Sequence, residues 1–294
     1  MVYAFILSHE SVFPVIRMCQ VLSVSRSCYY VYRNDGYASE DPAAKQIEAR
    51  VVDAFTLHKR RYGVRRLVPE LLDQGLKIGR CRVGSILRRN GLKAIQPKSF
   101  VPRTTDSRHP YPISPNLLKD KPLPVRINQA WVGDITYIPL KGGGWCYLAV
   151  WMDLFSRKVT GWQLLSHMKE GLVLEAFKKA WSNRNATKGL IIHSDRGGQY
   201  AGNIFRKLLS SHKLLQSMSG VDNPYDNAFM ESYFSRFKAE LLHGGAFDGL
   251  ENARTEIFEY IETYYNPIRR HSSLGYISPM AFERKVSYSQ KAEV

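Results

Sequence analysis

The sequence predicts an α/β protein, in which a mixed sheet with helices follows a helical and strongly basic first part. Three observations predict this. Apolar residues recur at helical spacing through the first 96 residues. From residue 130 onward, strand-like runs come first and then alternate with helical stretches. The formal net charge is +16 over 294 residues, which favours a polyanionic partner such as nucleic acid.

The composition excludes several other classes of protein. No apolar run approaches the roughly 18 residues of a membrane-spanning helix. The opening "MVYAFILSHE" has no basic stretch before its apolar run and no small-residue cleavage site after it, so it is a poor signal peptide. The four cysteines are scattered without a C-x-x-C pair, which favours a reduced compartment, and three of them lie in apolar patterns, which favours buried small hydrophobic residues over zinc ligands. We therefore expect a cytoplasmic protein.

Residues 1–36 predict a helix-turn-helix-like segment. The stretch "SVFPVIRMCQVLSVSRSCYYVYR", residues 11–33, is typical of two helices joined by a short turn, with Ser25 capping the second helix. A plain helical hairpin explains this pattern at least as well. A turn-rich, acidic stretch, "NDGYASEDP", then separates this segment from the next one.

Residues 41–96 predict a helical DNA-binding module. Its last helix carries Arg82, Ser85 and Arg89 on one polar side at three- and four-residue spacing. This pattern is typical of a helix that enters a DNA groove, although a merely solvated face would look the same. Arg65 and Arg66, in "RYGVRRL", are further candidates for DNA contacts.

Residues 97–124 are rich in proline and lack any periodicity, so they predict an extended linker between domains. After the linker the sequence changes to strand-like patterns. The runs "AWVGDITYIPL", "WCYLAVWMDL" and "RKVTGWQLL" predict three strands in meander order, the first two joined by the glycine-rich turn in "KGGGW".

Helices and strands then alternate along the chain. We expect, in order, a helix over 170–181, the strand "GLIIHSD", a helix over 202–209, the strand "LLQSMS", and a helix that begins near residue 228. This order matches a ribonuclease H-like core with a mixed five-stranded sheet, which we assign to residues 125–245. Residues 246–294 are expected to complete this core with a C-terminal helix, roughly 250–265, and a basic tail.

Asp134 is the only acidic residue in the first predicted strand. Strand alternation places its side chain on the same face as Val132 and Ile138. A charge in such an apolar strand costs several kcal/mol unless it is paired or holds a metal ion. A metal ligand and an aspartate paired with a nearby lysine or arginine are therefore the two alternatives.

Asp195 follows the short strand of "GLIIHSD" and opens "DRGGQY". Strands of α/β proteins place ligand-binding groups at their carboxyl ends, where this residue lies. An ordinary turn aspartate is an equal alternative. His193 shares the strand face of Asp195 and is a candidate neighbour of the site, although a histidine satisfied within the core is the simpler interpretation.

Residues 219–241, "SGVDNPYDNAFMESYFSRFKAEL", contain four acidic residues. Asp222 and Asp226 lie in the loop, where a structural role such as helix capping by Asp226 or Asn227 is favoured. In the helix that follows, Met230, Phe234, Phe237 and Leu241 form an apolar stripe. Glu231 and Lys238 lie on the opposite, polar side together with Asn227 and Ser235.

Asp134, Asp195 and Glu231 would form a cluster of oxygen ligands, which is the chemistry that Mg²⁺ prefers. Two such ions about 3.5 to 4 Å apart can activate a water or a 3′-hydroxyl and stabilise the leaving oxygen of a phosphodiester. The implied reaction is phosphoryl transfer on nucleic acid. Lys238 could then contact the DNA backbone as a point charge.

The chain resembles DDE transposases, and in particular the second-frame (orfB-type) proteins of the insertion-sequence family numbered three, which are related to retroviral integrases. The motifs stand in the family's order over almost the whole length: "CQVLSVSRSCYY", "RYGVRRL", "WVGDITYI", "WMDLFSRKVTGW", "HSDRGGQY", "DNPYDNAFMESYFSRFKAEL" and "YNPIRRHSSLGYISP". Asp195 and Glu231 have the family's spacing. One departure is Arg270 before His271, where the family usually has proline.

The resemblance implies that Asp134, Asp195 and Glu231 hold two Mg²⁺ ions, which Mn²⁺ can replace, in a ribonuclease H-like fold. It implies strand cleavage and strand transfer that move an insertion sequence into target DNA, with Lys238 near the element's terminal DNA and Asn227 near the site. The implied partners are terminal inverted repeats, target DNA, further copies of the chain, and a first-frame protein joined by frameshifting. The setting would be a bacterial, nucleoid-associated one.

Two other functions compete with transposition. A ribonuclease H-like nuclease would cut without joining, but the basic N-terminal modules argue against a simple nuclease. A DNA-binding regulator with an inert core would be favoured by the loss of one of the three carboxylates, and all three are present.

Overall fold

In a computed structural model of the chain, the structure describes residues 2–35, 42–97, 109–220, 228–243 and 245–292. The chain divides into two compact units, Met1–Lys93 and Ala94–Val294. Within the described residues, no helix is both long and apolar enough to cross a membrane.

The first unit is helical. Its helices are α1 (Val2–His9), α2 (Val15–Val21), α3 (Arg26–Asp35), α4 (Pro42–Leu57), α5 (Val64–Asp73) and α6 (Arg80–Arg89). The predicted pair of helices with a short turn is present as α2 and α3. α1 was not predicted; it adds Ile6 to the small core formed by Met18, Cys19 and Tyr29. α4, α5 and α6 pack on one another.

The second unit contains a sheet with five strands among the described residues. The strands are β1 (Ala130–Leu140), β2 (Gly144–Asp153), β3 (Val159–Leu165), β4 (Ile191–Ser194) and β5 (Leu215–Met218), in the spatial order β3-β2-β1-β4-β5. The first three strands are antiparallel neighbours, and β4 and β5 run parallel to β1. The predicted mixed sheet is confirmed.

Helices cover both faces of this sheet. α7 (Glu170–Ser182), α8 (Gly198–Ala201) and α9 (Asn203–Ser211) bury one face, where Trp131 and Trp151 point. α10 (Ala228–Leu242) and α11 (Leu250–Phe258) bury the other face, on which Val132 and Ile138 lie. This face assignment of β1 is the one that strand alternation predicted.

The C-terminal part departs from the prediction in two ways. The last predicted helix is present as α11, but it continues as a π-helical segment, Glu259–Tyr265. The region interpreted as a polar tail contains a further helix, α12 (Pro279–Ala292). α12 was not predicted. It contacts the core through the Phe282 ring, whose centre lies 5.1 Å from that of Phe155, and through ion pairs of Glu283 with Arg184 and Lys158.

Candidate active site

The pairing of β1 with β4 brings Asp134 and Asp195 to neighbouring positions. These strands are parallel, with Val132 opposite His193 and Gly133 opposite Ser194. Asp134 and Asp195 are the next residues after this last pair. Because adjacent strands lie roughly 4.8 Å apart, Asp134 within β1 and Asp195 just after β4 lie side by side at the carboxyl end of β4.

Asp134 lies on the face of the sheet that α10 covers. Its neighbours on that face, Val132 and Ile138, are fully buried in the core beneath α10. The side chain of Asp134 is only partly buried, and its Oδ1 accepts a 2.8 Å hydrogen bond from the backbone N–H of Ile135. The carboxylate is therefore held at the rim of the core with access to solvent.

Asp195 opens a tight turn whose geometry is fixed by hydrogen bonds. Its Oδ1 accepts from the N–H of Gly197 at 3.0 Å, as an ordinary turn aspartate would. Arg196 Nε donates to the Ser219 carbonyl at 2.7 Å, and the Ser219 N–H donates to the Ser194 carbonyl at 3.0 Å. These contacts tie the turn to the end of β5, so the carboxylate has a defined orientation.

Tyr200 lies close to both aspartates and was missed by sequence reasoning. It is buried in the aromatic core of the α7 face. Burial raises its pKa well above the usual range, and the negative charges of Asp134 and Asp195 raise the pKa further. The charges of both carboxylates thus act on the same buried hydroxyl. The only sequence signal was its place at the end of "DRGGQY".

Lys238, on α10, also lies near Asp134. Burial lowers the pKa of Lys238, and the Asp134 carboxylate acts in the opposite direction. Lys238 is partly buried, whereas Glu231 on the same helix is exposed. The two residues are seven positions apart, so they point within about 20° of each other and lie about 10 Å apart along the axis. Glu231 therefore belongs to the helix edge that faces Asp134.

The three predicted carboxylates do not form one coordination sphere here. Among the described residues, no group of three or more His, Cys, Asp or Glu side chains is placed to hold a metal ion. Asp134 and Asp195 provide oxygen ligands at adjacent strand positions, which fits a hard cation. Glu231 is an exposed residue of α10 and is not part of such a group. Asn227 lies outside the described residues.

Comparisons with known proteins agree with this architecture. Two integrase core domain families match residues 124–224 and 212–279, and an HTH-like domain family matches residues 42–100. The chain is 40% identical over 287 residues to the transposase InsF of insertion sequence IS3A from Escherichia coli K12, covering 97% of this chain and 99% of the relative. The family is thereby decided.

The chain belongs to the IS3 transposase family. It is also 37% identical over 275 residues to an insertion element IS600 protein of 31 kDa from Shigella sonnei, covering 94% of this chain and all of that one. Among solved structures, the HTLV-2 integrase catalytic core domain in complex with magnesium is 19% identical and aligns with a TM-score of 0.38, covering 54% of this chain and 97% of that one. The transposase thus carries an integrase core and an HTH-like domain, and DNA is its partner.

His193 has a structural place in the transposase. It is fully buried, and its Nδ1 lies 2.8 Å from Ser217 Oγ on β5. Ser217 Oγ in turn accepts from the N–H of Leu117. His193 thus links β4 to β5 two residues before Asp195. This contact is the one expected of a histidine that lies in the core.

Asp153, at the end of β2, caps a turn. Its carboxylate accepts from the backbone N–H groups of Asn128, Phe155 and Ser156 at 2.7 to 3.0 Å and pairs with Arg184 at 3.3 Å. All of its hydrogen-bonding partners are local or structural. The transposase therefore uses this buried acid to fix the β2–β3 connection.

The candidate DNA-binding arginines lie on the helices of the first unit. Arg82, Ser85 and Arg89 of α6 are all exposed, so they share an accessible face. Arg89 pairs with Glu48 at 2.8 Å. Arg65 is exposed, whereas Arg66 is partly buried, with its guanidinium 5.8 Å from the centre of the Tyr62 ring. Their contacts with DNA stay a prediction.

Proposed function

We propose that Asp134, Asp195 and Glu231 are the catalytic carboxylates of a DDE-type transposase and that they bind two Mg²⁺ ions, which Mn²⁺ can replace. The observation that carries this proposal is the adjacency of Asp134 and Asp195 on β1 and β4. Three features support it: the electrostatic coupling of both aspartates to Tyr200, the proximity of Lys238 to Asp134, and the place of Glu231 on the same edge of α10.

The bound ions would supply Lewis-acid activation of the nucleophile and charge stabilisation at the leaving oxygen. The protein's own residues hold the reaction in place. Asp134 and Asp195 are fixed by backbone hydrogen bonds on a rigid sheet, which keeps the ligand oxygens preorganised. Glu231, on α10, would supply the third carboxylate of the ligand set.

Lys238 binds the DNA phosphate beside Asp134 in this proposal. A partly buried ammonium is poorly solvated, so its attraction to a phosphate is stronger than that of a lysine in open water. In cleavage, water attacks the phosphorus and the 3′-oxygen leaves as a hydroxyl. In joining, that 3′-hydroxyl attacks a phosphorus of the recipient strand, and the 3′-oxygen of the recipient strand leaves as a hydroxyl.

The DNA partners proposed are the terminal inverted repeats of the element and its target DNA. Arg82, Arg89, Arg65 and Arg66 bind the repeats from the first unit, and several copies of the chain assemble on DNA. Fusion to a first-frame protein by frameshifting belongs to the same proposal. The protein would act in the bacterial cytoplasm at the nucleoid, where its DNA substrates are.

The test is strand cleavage and joining on labelled duplexes that carry the flanking inverted repeats, with Mg²⁺, for the unmodified protein and for Glu231→Gln. This substitution removes a metal ligand and retains the exposed, polar character of the position. We expect end binding to be retained and both reactions to be lost. Loss of binding in a folded Glu231→Gln protein would contradict the role assigned to Glu231.

The matched control is Ser235→Ala, an exposed position one turn further along α10, which should retain both reactions. Cutting without joining by the unmodified protein would favour a nuclease or the need for a fusion partner. Binding with neither activity would favour a regulator.

A further inference from the structure

Residues 109–118 form an extended segment, here called the strap, that lies along β5. Ser114 Oγ donates to Gln216 Oε1 at 2.9 Å, and the Leu117 N–H donates to Ser217 Oγ at 2.9 Å. The backbone N–H of Met218 donates to the Pro115 carbonyl at 3.4 Å. A segment that the sequence predicted only as part of a linker is thus bound to the edge of the catalytic sheet.

The strap reaches the Asp195 turn through His109. Nε2 of His109 lies 2.7 Å from the backbone carbonyl oxygen of Arg196. A carbonyl can only accept, so Nε2 carries the proton and donates. His109 Nδ1 is buried and has no hydrogen-bond partner in the described part of the chain. The contact with Arg196 is therefore the hydrogen bond that orients this ring.

The ring of His109 also packs closely over the turn. A Cβ on Gly198 would stand 3.6 Å from the His109 ring, so the imidazole lies directly above this glycine at the start of α8. The carbonyl that His109 holds belongs to the peptide between Arg196 and Gly197, whose N–H donates to Asp195 Oδ1. The turn is thus fixed on one side by Ser219, which accepts from Arg196 Nε, and on the other side by the strap.

We propose that His109 is a positioning residue for the reaction: by holding the Arg196 carbonyl, it fixes the turn that directs the Asp195 carboxylate toward Asp134. This inference rests on the proposed function, because it assumes that Asp195 binds the metal. Partners that orient metal ligands typically change metal affinity or activity by 10- to 100-fold when they are removed.

The test compares four variants of the full-length chain. His109→Phe retains an aromatic ring over Gly198 but cannot donate, and His109→Ala removes ring and donor together. His109→Gln places an amide N–H near the position of Nε2. Ser114→Ala is the matched control, because it removes a strap hydrogen bond to Gln216 without touching the Asp195 turn.

Two readouts are measured for each variant. Mn²⁺ binding in the absence of DNA is titrated by electron paramagnetic resonance, and single-turnover cleavage is followed against Mg²⁺ concentration with saturating DNA. We expect His109→Phe and His109→Ala to weaken Mn²⁺ binding and to raise the half-maximal Mg²⁺ concentration by about 10-fold. His109→Gln should recover most of the lost Mn²⁺ affinity and the normal Mg²⁺ dependence, and Ser114→Ala should behave as the unmodified protein.

Equal metal dependence of His109→Phe, Ser114→Ala and the unmodified protein would overturn the proposal. Should His109→Ala fail to fold, the comparison of His109→Phe with His109→Gln decides the outcome. Asp195→Asn separates the two levels of inference. An inactive Asp195→Asn beside a normal His109→Phe rejects the role of His109 alone, whereas an active Asp195→Asn rejects the proposed site itself.

Discussion

Arg269 and Glu240 form a buried, two-point ion pair between the C-terminal segment and α10. Arg269 Nε donates to Glu240 Oε2 at 2.8 Å and Nη2 donates to Oε1 at 2.5 Å, and both side chains are almost fully buried. The Tyr260 hydroxyl donates to the same Oε2 at 2.8 Å. Because α10 also carries Glu231, this pair ties the helix of a candidate ligand to the core.

The pair predicts a large loss of stability in Arg269→Met. The substitution leaves the Glu240 charge buried without its guanidinium partner. We expect the free energy of unfolding to fall by about 3–5 kcal/mol, which is typical when one partner of a buried ion pair is removed. The control is Lys178→Met, since Lys178 and Glu175 form an exposed pair that should contribute only about 0.2–1 kcal/mol. Urea unfolding of both variants measures the difference. A loss below about 1 kcal/mol in Arg269→Met would contradict the prediction.

Gly161 on β3 is a second position at which we expect a substitution to destabilise the fold. A Cβ at this residue would stand 2.4 Å from the Ala180 nitrogen and 2.5 Å from the Ala176 carbonyl oxygen on α7. Gly161→Ala therefore forces α7 away from the sheet, and we expect a loss of about 1–3 kcal/mol in the free energy of unfolding.

Gly171, within α7, is the matched control because a Cβ there meets no atom within 4 Å. Gly171→Ala should be neutral or stabilising by up to about 1 kcal/mol, since alanine favours helix. The midpoint of thermal unfolding should therefore fall in Gly161→Ala and should stay the same or rise in Gly171→Ala. Similar losses in both variants would show that the close packing at β3 does not limit the fold.

The sheet was predictable from the sequence because its strands are strongly patterned. "AWVGDITYIPL" alternates and became β1 with the expected faces, and α10 buries Met230, Phe234 and Phe237, three of the four residues of the predicted stripe. Asp134 stood out as the acid in an apolar strand. Its closeness to Asp195 depends on the parallel pairing of β1 with β4, which the order of elements implied.

Other features depend on contacts between distant parts of the chain. Tyr200 looks like any core aromatic until the fold brings it to both aspartates. His109 lies in a proline-rich stretch without periodicity, so its contact with Arg196 could not be predicted. α12 is held by the ion pairs of Glu283 and by contact of Phe282 with Phe155, both of which join residues far apart in the sequence. Local patterns carry no information on such long-range polar contacts.

Glu283 predicts how stability depends on pH. Burial raises the pKa of Glu283, but hydrogen bonds and charge from Arg184, with support from Ser156 and Lys158, hold it below the usual value. A lowered folded-state pKa stabilises the protein above the unfolded-state value of about 4.3, and this contribution is lost as the pH falls through the folded-state pKa.

The measurement is the midpoint of thermal unfolding between pH 7 and pH 3 for the unmodified protein and Glu283→Gln. The unmodified protein should be the more stable one near pH 7, and the difference between the two should shrink below about pH 4.3. Glu175→Gln, at an exposed ion pair, is the control that should show little difference at any pH. A difference that grows on acidification would refute the assignment.

Substitution of Arg82 distinguishes between two roles of α6, a recognition helix and a solvated surface. The residue is exposed and shares its face with Ser85. If α6 reads base edges in a DNA groove, Arg82→Gln should cost about 1–3 kcal/mol in binding to the inverted repeat and much less on an unrelated duplex. If Arg82 contacts only phosphate, binding to both duplexes should be weakened equally. The slope of log K against log salt concentration should then decrease in magnitude by about one. Binding to both duplexes at several salt concentrations, with Lys178→Gln as the control, decides between these outcomes, and unchanged binding to both would leave α6 as a solvated face.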